Sequence, residues 1–208
     1  MSACALLAIL CSASAMAQSG VYRDQNLHFS LHYPAGLQVN AAVQQQIIPQ
    51  ARDKVRGDPE ASKAMACLQI QLVAVENPRT TTFRMLVITR LDLDCRNQST
   101  KGLKLDDLTE GALRSAMTML GSPVIRKVSS YRVAEHLASV VEGDIDPQVS
   151  KSNVPLFGET ACALIDHDVV CFSAMATDRV RVREVLEGEI TFDGGREQPL
   201  VQAALLAP

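Results

Sequence analysis

Residues 158–176, GETACALIDHDVVCFSAMA, form two apolar arms that meet at Asp166-His167, with one cysteine on each arm. A tight turn centred on Asp166-His167 sets Ile165 opposite Asp168, Leu164 opposite Val169 and Cys162 opposite Cys171. A four-residue loop on the same centre keeps those pairs, whereas a three-residue loop shifts the register and separates the thiols. Directly opposed residues of an antiparallel pair have Cα atoms about 4.5–5.5 Å apart. A disulfide accepts roughly 4.4–6.8 Å, so a Cys162–Cys171 bridge is expected, stabilising by about 2–3 kcal/mol in the chain-entropy model. The alternative is two free buried cysteines acting as small hydrophobes. One face of this hairpin carries Cys162, Leu164, Val169, Cys171 and Met175, and the other Ala161, Ala163, Ile165, Val170, Phe172 and Ala174. A strand pair with no polar face is covered on both sides. The hairpin therefore belongs in the middle of a sheet, with helices expected above and below.

Compartment follows from the cysteines and the start of the chain. Residues 1–17, MSACALLAILCSASAMA, read as a secretory leader: an apolar run from Ala3 to Cys11, then the small-x-small site Ala15-Met16-Ala17. No Lys or Arg precedes the apolar run, and a buried N-terminal helix is the competing reading. Cleavage after Ala17 removes Cys4 and Cys11 and leaves Cys67, Cys95, Cys162 and Cys171. An even count suits an oxidising compartment. With Cys162–Cys171 taken, the remaining pair is Cys67–Cys95. A periplasmic or secreted protein is expected, with no membrane span in the mature chain.

The 208 residues suit one domain: a leader over 1–17, a single domain over 18–193, and a disordered tail over 194–208. The formal charge of −3 and a pI near 5.8 argue against nucleic acid or anionic lipid as partner. There is no tryptophan, so the core is aliphatic and aromatic platforms for sugars or bases are not expected.

Leu27, Phe29, Leu31 and Tyr33 alternate with His28, Ser30 and His32, a period-two strand following a turn at Asp24-Gln25-Asn26. Asn40 caps a helix carrying Val43, Ile47, Ala51 and Val55 on one stripe, which Pro49 breaks or kinks. Arg52 to Lys63 is polar, with Gly57 and Pro59, and reads as helix end plus loop. Cys67–Val75 and Phe83–Asp92 form a hairpin with a polar connection over 76–81. Its cysteines, at the open end and out of perfect register, need a bulge or bent strand end to meet; closing that loop is worth about 3.6 kcal/mol. A helix lies within 101–121, with Asp107 and Glu110 as a capping box and Leu105, Leu108, Ala112, Ala116 and Met119 as its apolar stripe. Val124–Ala134 and His136–Ile145 read as strands, followed by a polar loop over 144–153 and then the central hairpin. Asp178 caps a last helix ending at Gly188, although alternation over Arg179–Arg183 also suits a strand, and Glu189–Phe192 is a final strand.

This order resembles the PsbP-like family. The opening Phe29-Ser30-Leu31-His32-Tyr33-Pro34 matches the family's usual start. The hairpin over 158–176, the helix after it and Ile190-Thr191-Phe192 match its close. The resemblance spans residues 22–192; Leu37 stands where the family often carries an aromatic. It implies an antiparallel sheet between helical layers and a binding or assembly role, with no family-wide catalytic residues to carry over.

No motif for chemistry emerges. His28 and His32 share a strand face but lie about 13 Å apart at strand rise, too far to share a metal. Ser30 lies between them, yet its neighbours point to the opposite face. His167 between Asp166 and Asp168 is either a weak cation site or a polar turn, and the polar turn is favoured. Arg179, Arg181 and Arg183 spread over different helix faces and read as solvated. Asn97-Gln98-Ser99 is a glycosylation sequon only in a host that uses one. Zinc spacing, a nucleophile elbow and a phosphate loop are all absent from the sequence. The expectation is an α+β fold, an antiparallel sheet of about six to seven strands with helices on both faces. The chain is expected to act as an exported non-catalytic binding or assembly module, with an unknown protein or small-molecule partner and without catalytic residue, metal or cofactor. An extracytoplasmic hydrolase with a site assembled from distant residues, or a structural envelope protein, is the alternative.

Overall fold

The computed structural model describes residues 20–76, 83–118, 120–150 and 154–202. The leader expected over 1–17, the turn over 77–81, Met119 and the end of the tail lie outside the described residues.

The chain begins with β1 (Gly20–Asp24), β2 (Phe29–Tyr33) and β3 (Leu37–Val39), followed by α1 (Ala41–Val55) and α2 (Pro59–Ala66). Next come β4 (Leu68–Glu76), β5 (Arg84–Asp92), α3 (Leu105–Thr118), β6 (Val124–Val133) and β7 (His136–Ile145). It closes with β8 (Leu156–Ile165), β9 (Asp168–Ala176), α4 (Arg179–Leu186), β10 (Glu189–Phe192) and β11 (Gln198–Pro199). The fold is α+β. Its strands form a seven-stranded sheet, ordered β3-β4-β5-β9-β8-β7-β6, and a four-stranded sheet, ordered β1-β2-β10-β11. All the pairings are antiparallel.

The β8–β9 hairpin lies at the centre of the large sheet with Cys162 opposite Cys171, the register its two-residue turn dictates. Asp166 takes a left-handed conformation there (φ 53°), which aspartate tolerates without glycine. The Cys162–Cys171 bridge closes with Cα atoms 4.0 Å apart, and Cys67–Cys95 closes at 5.6 Å. The second bridge has its anticipated irregularity: the β4–β5 register shifts between Ile70 and Leu72.

Helices on both faces were expected, and the layering differs. One face of the hairpin packs under α3, where Leu113 and Met117 meet Val141, Ile145 and Met175, and Leu105 meets Cys162 and Cys171. On the opposite face Ala161, Phe172 and Ala174 share a core with Phe29, Leu31 and Ile190 of the small sheet as well as Val182, Val185 and Leu186 of α4. The first and last strands thus form a layer of their own. Their alternation is visible in sequence, but alternation does not say which sheet a strand joins.

Three local readings are also corrected. Asp107 is inside the first turn of α3 rather than capping it; the helix starts at Leu105, with Leu108 N bonded to Lys104 O. The loop expected up to Lys63 contains α2, capped by Asp58, which accepts from Glu60 N and Ala61 N at 3.0 Å. That helix buries no residue, so it has no apolar stripe to read. Pro49 lies within α1 without ending it. The carbonyl it leaves without a helix donor belongs to exposed Gln45, open to solvent rather than buried.

Within the described part of the tail, residues 194–202, the chain packs onto the domain, where disorder was expected. Leu200 is 1% exposed and Val201 0%. Their amides bond Gly188 O and Leu186 O at 2.9 and 3.1 Å, and the half-buried Tyr131 donates its hydroxyl to Leu200 O at 2.8 Å.

Candidate functional site

Strand parity builds an acidic pair into the core. On β7, Ala138, Val140 and Glu142 share the face opposite α3, and on β8 so do Glu159, Ala161 and Ala163. The ladder sets Glu142 directly opposite Glu159, and Lys127 of β6 opposite Glu142. Both carboxylates are buried, Glu142 at 6% and Glu159 at 4% exposure.

α4 packs across β8 and β9 beside Glu159. Asp178 caps the helix by accepting from Val180 N at 2.7 Å, and Val182, Val185 and Leu186 anchor its buried side. Helical spacing then sends its charges to two flanks. On one, Arg183 Nε lies 3.9 Å from Glu159 Oε1, and the Arg179 guanidinium sits 5.2 Å from the centre of the Phe157 ring, a cation–π approach. On the other, Arg181 Nη1 donates to Glu76 Oε2 and Oε1 at 3.0 and 3.2 Å. Beside it, buried Arg84 donates to Glu184 Oε2 at 3.0 Å and to Ala35 O at 2.8 Å. The arginines expected to be solvated each meet a sheet side chain.

Both flanks leave a buried guanidinium Nε without a hydrogen-bond partner among the described residues, Arg84 Nε on one and Arg183 Nε on the other. Glu159 Oε2 is likewise buried without one. Burial first, then the Glu142 charge, push the Glu159 carboxyl up to about 8, with Glu187 adding to the rise and Arg183 and Arg179 opposing it. A carboxyl in that range exchanges a proton near neutral pH.

The residues singled out from sequence do not converge. His28 sits in the β1–β2 turn (φ 52°) rather than on the strand, and His32 Nε2 lies 3.8 Å from Glu197. At the central turn, His167 Nδ1 is 3.1 Å from Asp94 Oδ1. The Asp168 carboxylate is engaged by Arg90 in a bidentate pair at 2.8 Å on each arm, which raises the proton affinity of that guanidinium. The turn is thus held by hydrogen bonds and does not gather its carboxylates. No group of three or more potential metal ligands occurs among the described residues. Glu159 had a signal that the sequence reading passed over: it is a charge on the same parity as Ala161 and Ala163.

A shallow groove of about 240 Å³ runs between the start of α3 and the β6–β7 ribbon, lined by Leu103, Leu105, Asp106, Ser130 and Leu137. Ser130 Oγ donates to both Asp106 oxygens at 2.7 and 2.9 Å. On the same face the terminal strand exposes Val128, and β7 exposes Leu137.

With this geometry, comparison with solved structures is informative. The solution structure of cyanobacterial PsbP (CyanoP) from Synechocystis sp. PCC 6803 matches over 82% of this chain and 86% of its own, with TM-score 0.50 and 11% identity. The fold is PsbP-like. PA94, a Pseudomonas aeruginosa protein of unknown function, matches over 79% of this chain and 86% of its own with TM-score 0.35 and 12% identity. No family model matches the chain, and no curated protein matches it at a significant level. At 11% identity, the PsbP-like likeness speaks to the fold and leaves the acidic pair to be read from its own geometry. No helix among the described residues is long and apolar enough to cross a membrane.

Proposed function

We propose that the mature chain is an exported, non-catalytic binding or assembly module that engages a protein partner through the β6 side of the large sheet. The observation that carries this reading is the free outer edge of that terminal strand, where Val128 is 39% exposed on the same face as Leu137, 41% exposed, which lines an open groove. A sheet's outer strand offers unpaired backbone groups together with side chains at alternate positions, the usual footing for an added segment. Glu159, by contrast, is buried beside α4. The PsbP-like fold and the two disulfides support the assignment and an extracytoplasmic address.

The test is capture from an envelope extract with the wild-type mature chain and a Val128→Glu, Leu137→Glu variant. A partner retained by the first and lost from the second is the expected result. Equal capture by both, or no capture together with turnover in a hydrolase screen, overturns the reading. Turnover abolished by Glu159→Gln would favour the enzyme alternative, since a carboxyl protonated near neutral pH suits general-acid chemistry.

A further inference from the structure

We propose that the β6 edge takes, as an added antiparallel strand, an extended partner segment that reads acidic, then basic, then aliphatic at alternate positions. This rests on the β6 surface proposed above and names the chemistry of what that surface binds.

Strand parity lays out the surface. Val128, Ser130 and Arg132 point to the α3 face of β6: they stand opposite Val141, Ser139 and Leu137, of which Val141 packs under α3 and Leu137 lines the groove at its start. β6 ends the large sheet. A strand laid along its outer side would set one side chain opposite each of the three, with Cβ atoms about 4.5–5.5 Å apart. Every ladder of the large sheet is antiparallel, so the added segment runs from Arg132 towards Val128.

Each position has its own chemistry. Exposed Val128 suits an aliphatic neighbour. The Ser130 hydroxyl donates to both oxygens of Asp106, at 2.7 and 2.9 Å, and so brings a carboxylate over the strand. Arg132 is exposed and its Nη2 donates to Glu135 O at 2.6 Å. Neither Asp106 nor Arg132 forms an ion pair among the described residues, although Lys104 lines the same groove as Asp106. A lysine or arginine opposite Ser130 would lay its stem on the strand and its charge on Asp106. An acidic side chain opposite Arg132 would complete a cross-strand pair of opposite charge.

A second copy of the chain lacks this pattern. Residues 124–133, VIRKVSSYRV, hold no acidic side chain. Two β6 strands paired antiparallel about Ser129 would set Arg126 against Arg132 at both ends, and like charges directly opposite are destabilising.

The probes are two capped synthetic peptides that alternate threonine with three other residues: glutamate, lysine and valine in that order in the first, and lysine, glutamate and valine in the second. Composition and net charge are identical, so only the placement of charge differs. Each is titrated into the mature chain to millimolar concentration while the backbone amides are followed by NMR. The first should shift amides of β6 and the start of α3, and should bind about fivefold or more tightly than the second. Arg132→Glu, at an exposed position, should erase that preference. Equal binding of the two at β6, a preference that survives Arg132→Glu, or shifts confined to residues away from β6 overturns the inference. A dimer in sedimentation velocity that Val128→Glu breaks overturns it too, since the occupant is then a second copy. No binding of either peptide also overturns it. Whether the β6 surface falls as well is read from the envelope extract, where equal capture by the wild type and the Val128→Glu, Leu137→Glu variant removes both.

Discussion

Gly143 on β7 and Gly158 on β8 stand directly opposite each other, and α3 packs against the sheet over them. A Cβ on Gly158 would lie 2.6 Å from Met117 Sδ and 3.0 Å from Leu113 Cδ1, and one on Gly143 would lie 3.2 Å from Leu113 Cδ2. The missing side chains let the helix approach. Gly158→Ala should therefore lower stability by about 1–3 kcal/mol through overpacking, read from urea unfolding. Met117→Ala removes the closest obstacle, so the double variant should lose less than the two single losses together. Strict additivity would show that close approach is not what the glycine provides.

One residue along the same two strands, Glu142 and Glu159 occupy the opposite face, and their burial predicts a pH effect on overall stability. The Glu159 carboxyl is held up to about 8 in the folded chain, whereas an exposed glutamate titrates near 4.3. The native state thus keeps a proton that the unfolded chain has released. The stability linked to this group is fully present below about pH 4.3 and is lost as the pH rises through 8, on the order of a few kcal/mol. Denaturant midpoints at pH 5, 7 and 9 should fall with pH in the wild type, and the fall should be much smaller in Glu159→Gln. Parallel curves for the two proteins would remove Glu159 as the source.

The two disulfides differ in access. Cys162 and Cys171 are buried under α3, whereas Cys95 is exposed opposite buried Cys67. Under a mild thiol reductant at native conditions, Cys67–Cys95 should open first, because thiolate attack requires access to a sulfur. Alkylation followed by peptide mass analysis reads the order. Replacing Cys67 and Cys95 by serine should cost about 3.6 kcal/mol, and replacing Cys162 and Cys171 about 2.6 kcal/mol, in the chain-entropy model. Simultaneous opening of both bridges in the folded protein would contradict this order.

Leu200 tests the ordered tail. It is 1% exposed and packs in the core shared by Phe29, Ile190 and the large sheet. Leu200→Ala should cost about 2–5 kcal/mol, measured by thermal or urea unfolding. A change within about 0.5 kcal/mol, the usual size for a surface position, would place this segment outside the core.

Local patterns were the legible part of the fold. The Asp166-His167 turn and the parity of its arms are enough to place Cys162 against Cys171. The Asn40 and Asp178 caps announced α1 and α4, since a side-chain acceptor before a helical run satisfies an amide that would otherwise lack a partner. Leu200 and Val201 escaped notice because two apolar residues in an unpatterned tail show no period. Their burial depends on Tyr131 and Leu186, which lie far away in sequence. Glu159 escaped for the opposite reason: its parity was plain, but its opposite number on β7 belongs to a separate ribbon.

Alternation, turn chemistry and cysteine count determined that this chain makes β-hairpins stapled by two disulfides, because each acts within a few residues or within one hairpin. Which strands leave the main sheet to form the second one, and that two carboxylates on β7 and β8 meet in the interior, was decided only in three dimensions. Those outcomes depend on contacts between segments far apart in the chain, and no single segment's pattern encodes the partner it will meet.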